Sequence, residues 1–253
     1  MRTALITGAS GGIGKEFAQL FAENGYNLVL VARSEEKLKH IAQKLESQYK
    51  IKVTVLVEDL AKPNTASKLY EEVKKRGIII DTLINNAGFG DLQDFVEENL
   101  NTVTEMLQLN VTTLTGLTSL FVKDMKARNS GKILNVASTA AFQPLPKFAV
   151  YAATKAYVLH FTEALHYELR NTAIKVSVLC PGPTSTGFNK RANAEELNFL
   201  KNGMDSKTVA QIGYNGLMKN KMTVIAGFKN KLMSLSRTIP SRRLLIQVIG
   251  KMF

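Results

Sequence analysis

A chain of 253 residues with 45% hydrophobic and 21% charged content carries enough apolar material for one α/β domain with a full core. No run of about 18 apolar residues occurs, which excludes a membrane-spanning helix, and the single Cys180 excludes an internal disulfide and fits a reducing compartment. The net charge of +12 points toward anionic partners, but ten lysines and arginines stand from Lys201 onward against Asp205 alone, so the first 200 residues are close to balance.

MRTALITGAS runs straight into a strand and lacks the long apolar core of a signal peptide, so a cytoplasmic location is expected. Thr3–Thr7 is a short apolar strand, followed by GASGGIG and a helical pattern over Lys15–Glu23. Strand, glycine turn and helix is the layout of a dinucleotide-phosphate site. Gly8 permits the tight turn, Gly12 lets the backbone approach a pyrophosphate, and Gly14 lets the helix pack close to the sheet. The spacing is Gly-x-x-x-Gly-x-Gly rather than the commoner Gly-x-Gly-x-x-Gly.

Asn27–Ala32 is the second strand, and Arg33 follows it. An acidic residue near this point usually holds the ribose 2′-hydroxyl of NAD. A guanidinium instead suits a 2′-phosphate through forked, charge-assisted contacts, so NADP(H) is favoured over NAD(H). A solvated Arg at a helix start is the alternative. Ser34–Tyr49 has helical spacing, and Lys52–Val57 is the third strand, ending at Glu58-Asp59-Leu60. Asp59 can accept from an adenine amine or cap the helix opening near Pro63. Asp81–Asn85 is the fourth strand, and Asn85-Asn86-Ala87-Gly88 suits backbone passing under a cofactor ribose. Thr102–Lys126 reads as one long helix. Asn110 on its apolar face needs a partner, and a structural tie to a strand would supply one.

Lys132–Val136 reads as a buried strand with Ser138 just past its end. After the Gln143–Pro146 loop a helical pattern opens near Phe148 and carries Tyr151 and Lys155 one turn apart. Their phenol and ammonium therefore point at one spot, and a hydroxyl at Ser138 completes a small acid–base site. Tyr-x-x-x-Lys alone carries little weight, and its company gives it meaning. Lys175–Leu179 is the sixth strand, broken by Pro181-Gly182-Pro183. The alternation predicts a parallel, doubly wound sheet with ligands outside the carboxyl ends of the strands. His40, His160 and His166 are too few and scattered for a metal site.

Thr7–Gly14 (TGASGGIG), Asp59, Asn85–Gly88 (NNAG), Asn110, Ser138, Tyr151–Lys155 (YAATK) and Pro181–Thr186 (PGPTST) together resemble the short-chain dehydrogenase/reductase family, in order, from Thr3 to about Phe188. The resemblance implies a single-domain α/β Rossmann-type fold, with a seven-stranded parallel sheet flanked by helices, and NADP(H) as cofactor. It implies Asn110, Ser138, Tyr151 and Lys155 as the catalytic set. Cofactor contacts are implied for Gly8, Ser10, Gly12, Ile13, Gly14, Arg33, Asp59, Leu60, Asn86, Ala87 and Gly88. Tyr151, Lys155, Pro181, Gly182, Thr184 and Thr186 complete them, with Thr186 toward the nicotinamide carboxamide.

The expected chemistry is hydride transfer to a carbonyl carbon while Tyr151 gives its proton to the oxygen. Lys155 stabilises the phenolate, Ser138 orients the substrate oxygen, and Asn110 holds a water that links Lys155 to solvent. The substrate expected is an apolar ketone or other small carbonyl compound, or its alcohol, with 3-oxoacyl thioester reduction as the alternative. A non-catalytic NADP(H)-binding scaffold or sensor is the reading from another class, opposed by the intact Ser138, Tyr151 and Lys155. A homo-oligomer, dimer or tetramer, is expected.

Asn189–Leu200 and Ser206–Lys219 read as helices in a substrate-covering stretch, 188–220. Phe188, Leu197, Phe199 and Leu200 suit either a hydrophobic ligand or a packing face. Thr223–Ala226 is the last strand of a catalytic domain over 1–227. Residues 228–253 form a basic amphipathic extension, and Gly227–Phe253 holds six basic residues and no acid. Packing of its apolar side on the domain or a partner subunit is favoured over contact with an anionic membrane surface. Nucleic acid is not expected, since aromatic interleaving is absent.

Overall fold

The computed structural model describes residues 1–194, 203–238 and 241–250. Nine strands are present among them: β1 (Thr3–Thr7), β2 (Asn27–Ala32), β3 (Val53–Val57), β4 (Thr82–Asn85), β5 (Gly131–Val136), β6 (Ile174–Cys180), the two-residue β7 (Thr184–Ser185) and β8 (Met204–Asp205), and β9 (Thr223–Ile225). Seven form one parallel sheet in the order β3-β2-β1-β4-β5-β6-β9, as the alternation of strands and helices requires. Its strand order reverses between β1 and β4, and a crevice opens there at the carboxyl ends.

Successive strand residues face opposite ways, and both faces are apolar. Ala4 and Ile6 of β1 enter one core and Leu5 the other, as do Leu134 and Ile133 of β5. On one face lie α1 (Gly12–Glu23), α2 (Glu35–Tyr49) and α8 (Ser206–Met218), contributing Phe17, Phe21, Leu38, Leu45, Val209 and Leu217. On the other lie α3 (Thr65–Lys75), α4 (Leu100–Leu107), α5 (Leu114–Ala127) and α6 (Ala149–Glu168), contributing among others Leu69, Val73, Met106, Phe121 and Tyr151.

The long helix expected over Thr102–Lys126 is interrupted. Residues Gln108–Thr113 form a π-helical turn between α4 and α5. Side-chain bonds hold this wider turn: Thr113 Oγ1 donates to the Leu60 carbonyl at 2.8 Å, and the Asn110 amide is drawn to Phe89. The helix expected over Asn189–Leu200 is, where described, one turn, α7 (Phe188–Arg191), ended at Asn193 in the left-handed region. Leu197, Phe199 and Leu200 lie outside the described residues. The β7–β8 ladder pairs Thr184 with Met204 and Ser185 with Asp205, an unexpected element that ties the ends of the covering segment together.

Inside the sheet, Asn85 Nδ2 donates to Asn135 Oδ1 and Thr118 Oγ1, both at 2.9 Å, and Asn135 Nδ2 donates to Thr162 Oγ1 at 3.0 Å. All four residues are buried. Asn85 thus belongs to the core, and the residues beneath the cleft begin at Asn86.

Candidate active site

The glycine turn is built by its dihedral angles. Gly8 (φ +66°) and Gly12 (φ +52°) occupy the left-handed region, which a side chain would make strained. Helix α1 begins at Gly12, earlier than the expected Lys15, so its unpaired N–H groups open directly into the turn. A Cβ on Gly14 would run into the Gly8 carbonyl oxygen and lie 2.6 Å from Asn86 Nδ2. The third glycine therefore serves close packing of the helix start. Thr7 Oγ1 accepts from the backbone N–H groups of Asn86 and Ala87 at 3.0 Å each, and Asn86 Nδ2 donates to the Thr7 carbonyl at 3.0 Å. These bonds lace the ends of β1 and β4 together at the reversal of strand order.

Above this turn lies a cavity of about 1120 Å³. Its wall contains Gly8, Ser10, Gly12 and Ile13 from the turn, and Arg33, Asp59 and Leu60 at one end. Asn86, Ala87 and Gly88 follow in the middle, then Ser138, Tyr151 and Lys155, with Pro181, Gly182, Thr184 and Thr186 across from them. Of the expected site residues, Gly14 and Asn110 lie behind the wall. Asp59 does not cap α3, whose N-cap is Asn64. Asp59 Oδ1 accepts from the Ala61 N–H at 3.1 Å in a local turn. Thr186 sits against Gly12, 3.0 Å from where a Cβ would stand, and its Oγ1 accepts from the Phe188 N–H.

At the far end α6 brings in Tyr151 and Lys155. Tyr151 is 7% exposed and Lys155 4%. The tyrosine ring is held between Phe148 (centroids 4.7 Å apart) and Phe188 (5.4 Å), with Gly90 against its face, where a Cβ would come within 2.9 Å. Burial pushes the Tyr151 phenol up to about 12, and the Ser138 hydroxyl beside it pulls the other way. Burial pulls the Lys155 ammonium down to about 8, opposed by Cys180. Lys155 Nζ donates to the Val136 carbonyl at 2.9 Å and lies 5.7 Å from the Tyr151 ring centroid. Ser138 caps a short 3-10 turn, its Oγ accepting from the Ala140 N–H at 3.1 Å. The hydroxyl stays on the cavity wall, close to Tyr151.

Asn110 is fully buried and its side-chain amide is spent. Oδ1 accepts from the Phe89 N–H at 3.1 Å, and Nδ2 donates to the Phe89 carbonyl (2.8 Å) and Thr154 Oγ1 (3.1 Å). A Cβ on Gly88 would sit 3.0 Å from Asn110 Oδ1 and 3.2 Å from Lys155 Nζ, so this amide shapes the floor beside the ammonium.

Sequence reasoning missed several residues that shape the site. Gly90 lets its loop touch the Tyr151 ring, Asn230 fills the space over Gly182, and Phe228 and Ile249 come from the C-terminal stretch. Arg191 lines the cavity, with its guanidinium carbon 4.2 Å from the Phe89 ring centroid. Although the residue is exposed overall, burial of the guanidinium and the Arg33 charge lower its pKa, opposed by Asp59 and Glu105. No local pattern marks these positions, since each acquires its role from a contact distant in sequence.

The residues present fit a dinucleotide. Gly8, Gly12 and Gly14 leave a cradle that side chains would fill, a helix N-terminus faces it, and the cavity is long enough to join a guanidinium at one end to a phenol at the other.

Comparison with known proteins agrees. The model of the short chain dehydrogenase family matches residues 2–197. Mouse 17-beta-hydroxysteroid dehydrogenase type 3 is 36% identical over 196 residues, 75% of this chain and 62% of that protein. The zebrafish (Danio rerio) very-long-chain 3-oxoacyl-CoA reductase-A is 32% identical over 191 residues, 74% of this chain and 59% of its own length. The chain thus spans less than two thirds of these two relatives. Among solved structures, a short-chain dehydrogenase from Sphingobium yanoikuyae in complex with NADPH superposes with a TM-score of 0.84 at 31% identity, covering 90% of this chain and 89% of that one.

Proposed function

We propose that this chain, which belongs to the short-chain dehydrogenase family, is an NADPH-dependent reductase of a ketone on an apolar substrate, working equally as the dehydrogenase of the corresponding alcohol. The observation that carries the reading is the buried phenol of Tyr151, set beside Ser138 and Lys155 at the end of a glycine-cradled cavity. In this reading Gly8, Ser10, Gly12 and Ile13 hold the cofactor's phosphates, Asp59 and Leu60 its adenine, and Lys155 with Tyr151 the ribose near the reacting ring. When bound, the nicotinamide supplies the hydride.

The protein's own part is proton transfer and orientation. With its pKa near 12, Tyr151 is protonated at neutral pH, the state a donor to a carbonyl oxygen needs. Lys155, still largely charged below its pKa of about 8, stabilises the phenolate that remains. Ser138 donates to the substrate oxygen and sets its angle. The rings of Phe148 and Phe188 keep water from the phenol and favour an apolar substrate. Arg33, a guanidinium where NAD-preferring sites place a carboxylate, supports NADPH. The solved NADPH complex is a related protein that binds this cofactor.

Tyr151→Phe is expected to keep NADPH binding, read by cofactor fluorescence, and to lower carbonyl reduction at least about 100-fold. Turnover within tenfold of the parent overturns the reading. A second substrate class, 3-oxoacyl thioesters, is favoured by the zebrafish relative's name. A panel of bulky ketones and acyl thioesters with NADPH and NADH separates the two.

A further inference from the structure

From Gly227 onward the chain has six basic residues and no acid. It forms α9 (Phe228–Met233) and α10 (Arg242–Gly250), which fold across the mouth of the cavity, where Phe228, Met233 and Ile249 line the opening. Ser236 Oγ bonds Gln143 Oε1 at 2.9 Å, fastening the stretch to the loop after β5. On α10, Leu245 and Ile249 are one turn apart and both buried, so that helix does pack an apolar edge on the domain. Among the described residues of this stretch, several other apolar side chains are exposed. Phe228 is 82% exposed, Leu232 63% and Val248 58%, and Met233 and Ile246 are exposed as well; Phe228 and Met233 also line the cavity. Lys229, Lys231 and Arg243 stand exposed among them. Apolar residues scattered singly over a surface need no explanation, but exposed apolar side chains repeated on two helices that both reach the cavity wall, with cations and no acid among them, do.

We propose that α9 and α10 form a docking surface for an anionic lipid bilayer. The charge decides between occupants. A second copy meeting this face symmetrically would set Lys229, Lys231 and Arg243 against their own kind, with no carboxylate in the stretch to answer them. A nucleic acid would match the cations and leave Phe228 and Leu232 in water. A bilayer surface satisfies both sets at once, accepting the apolar side chains below the headgroups and pairing the cations with lipid phosphates. The cavity mouth then opens at the lipid, and an apolar substrate enters without crossing bulk water. That last consequence alone rests on the reaction proposed above.

The test is co-sedimentation of the full chain with vesicles of phosphatidylcholine, with and without phosphatidylglycerol. The parent is expected to pellet with the phosphatidylglycerol vesicles at low salt, to be released as salt rises, and to stay in solution with phosphatidylcholine alone. Leu232→Asp with Val248→Asp should weaken binding at least about tenfold, at unchanged melting temperature. Lys229→Gln with Lys231→Gln should weaken it mainly at low salt. Ile79→Asp, exposed just before the amino end of the central strand β4 and so at the end of the sheet away from the cleft, should bind as the parent does. A parent that stays in solution with phosphatidylglycerol vesicles overturns the proposal, as does a Leu232→Asp, Val248→Asp protein that binds undiminished. So does light scattering that finds a dimer in the parent and a monomer in that variant, which would make the face a subunit interface. Absence of ketone reduction in every form would refute the proposed reaction and leave the vesicle result standing.

Discussion

Replacing Lys155 by Met should make the protein more stable and inactive at the same time. Burial takes the ammonium from 10.5 to about 8. At about 1.36 kcal/mol per pH unit, folding with that charge in place costs roughly 3 kcal/mol. The sign follows from a base whose folded-state pKa is depressed. The cost is full below about pH 8, where folded and unfolded chains are both protonated, and it fades as pH rises toward 10.5. Methionine removes the charge but leaves the Val136 carbonyl without the donor it has at 2.9 Å, a loss of about 1 kcal/mol. The net expectation is a gain of about 2 kcal/mol at pH 7, falling to about zero at pH 10. Urea unfolding followed by circular dichroism at the two pH values measures both numbers. A variant less stable than the parent at pH 7, or a difference that does not change with pH, would refute the reasoning. Reduction of a model ketone should be lost throughout, placing the group among those kept for function at the expense of stability.

Asn110→Ala removes three buried hydrogen bonds, two to Phe89 and one to Thr154, and should destabilise the fold by about 3 kcal/mol in the same urea assay. A loss below about 0.5 kcal/mol would show that the side chain serves solvent alone. Arg33→Ala should raise the Kd for NADPH about tenfold or more and leave that for NADH unchanged, by isothermal titration. An equal effect on both cofactors would assign the guanidinium to general electrostatics.

The strands were legible because each is a short apolar run, and the parallel order followed from helices that separate them. The glycine turn was legible because Gly8 and Gly12 need backbone angles other residues avoid. Tyr151 and Lys155 were legible because helical spacing alone puts them on one face. The rest depended on contacts between distant segments. The π turn at Gln108–Thr113 comes from Leu60 and Phe89 drawing on its side chains, and nothing in its own residues announces it. Gly90 and Asn230 earn their places from Tyr151 and Gly182, 61 and 48 residues away in sequence. Asn110 carried two readings from the sequence, a held water and a tie to a strand; the observed bonds are a tie, but to Phe89 in the loop after β4 and to Thr154 on α6. The C-terminal stretch had likewise been read as packing or as facing a membrane. Leu245 and Ile249 of α10 are buried, as packing requires, while Ile246 and Val248 are exposed, and the vesicle experiment tests the other reading.

The amide thread through the sheet has a consequence for how the enzyme can vary. Asn135 joins β5 to α6 through Thr162, eleven residues beyond Tyr151 on the same helix, and Asn85 joins β4 to α5 through Thr118. A slide of α6 by even one residue would part the buried Asn135 amide from Thr162, so the helix has a single acceptable seating. Its reacting end is thereby located from the interior of the fold. Loops and covering helices can then be exchanged while Tyr151 stays where it is.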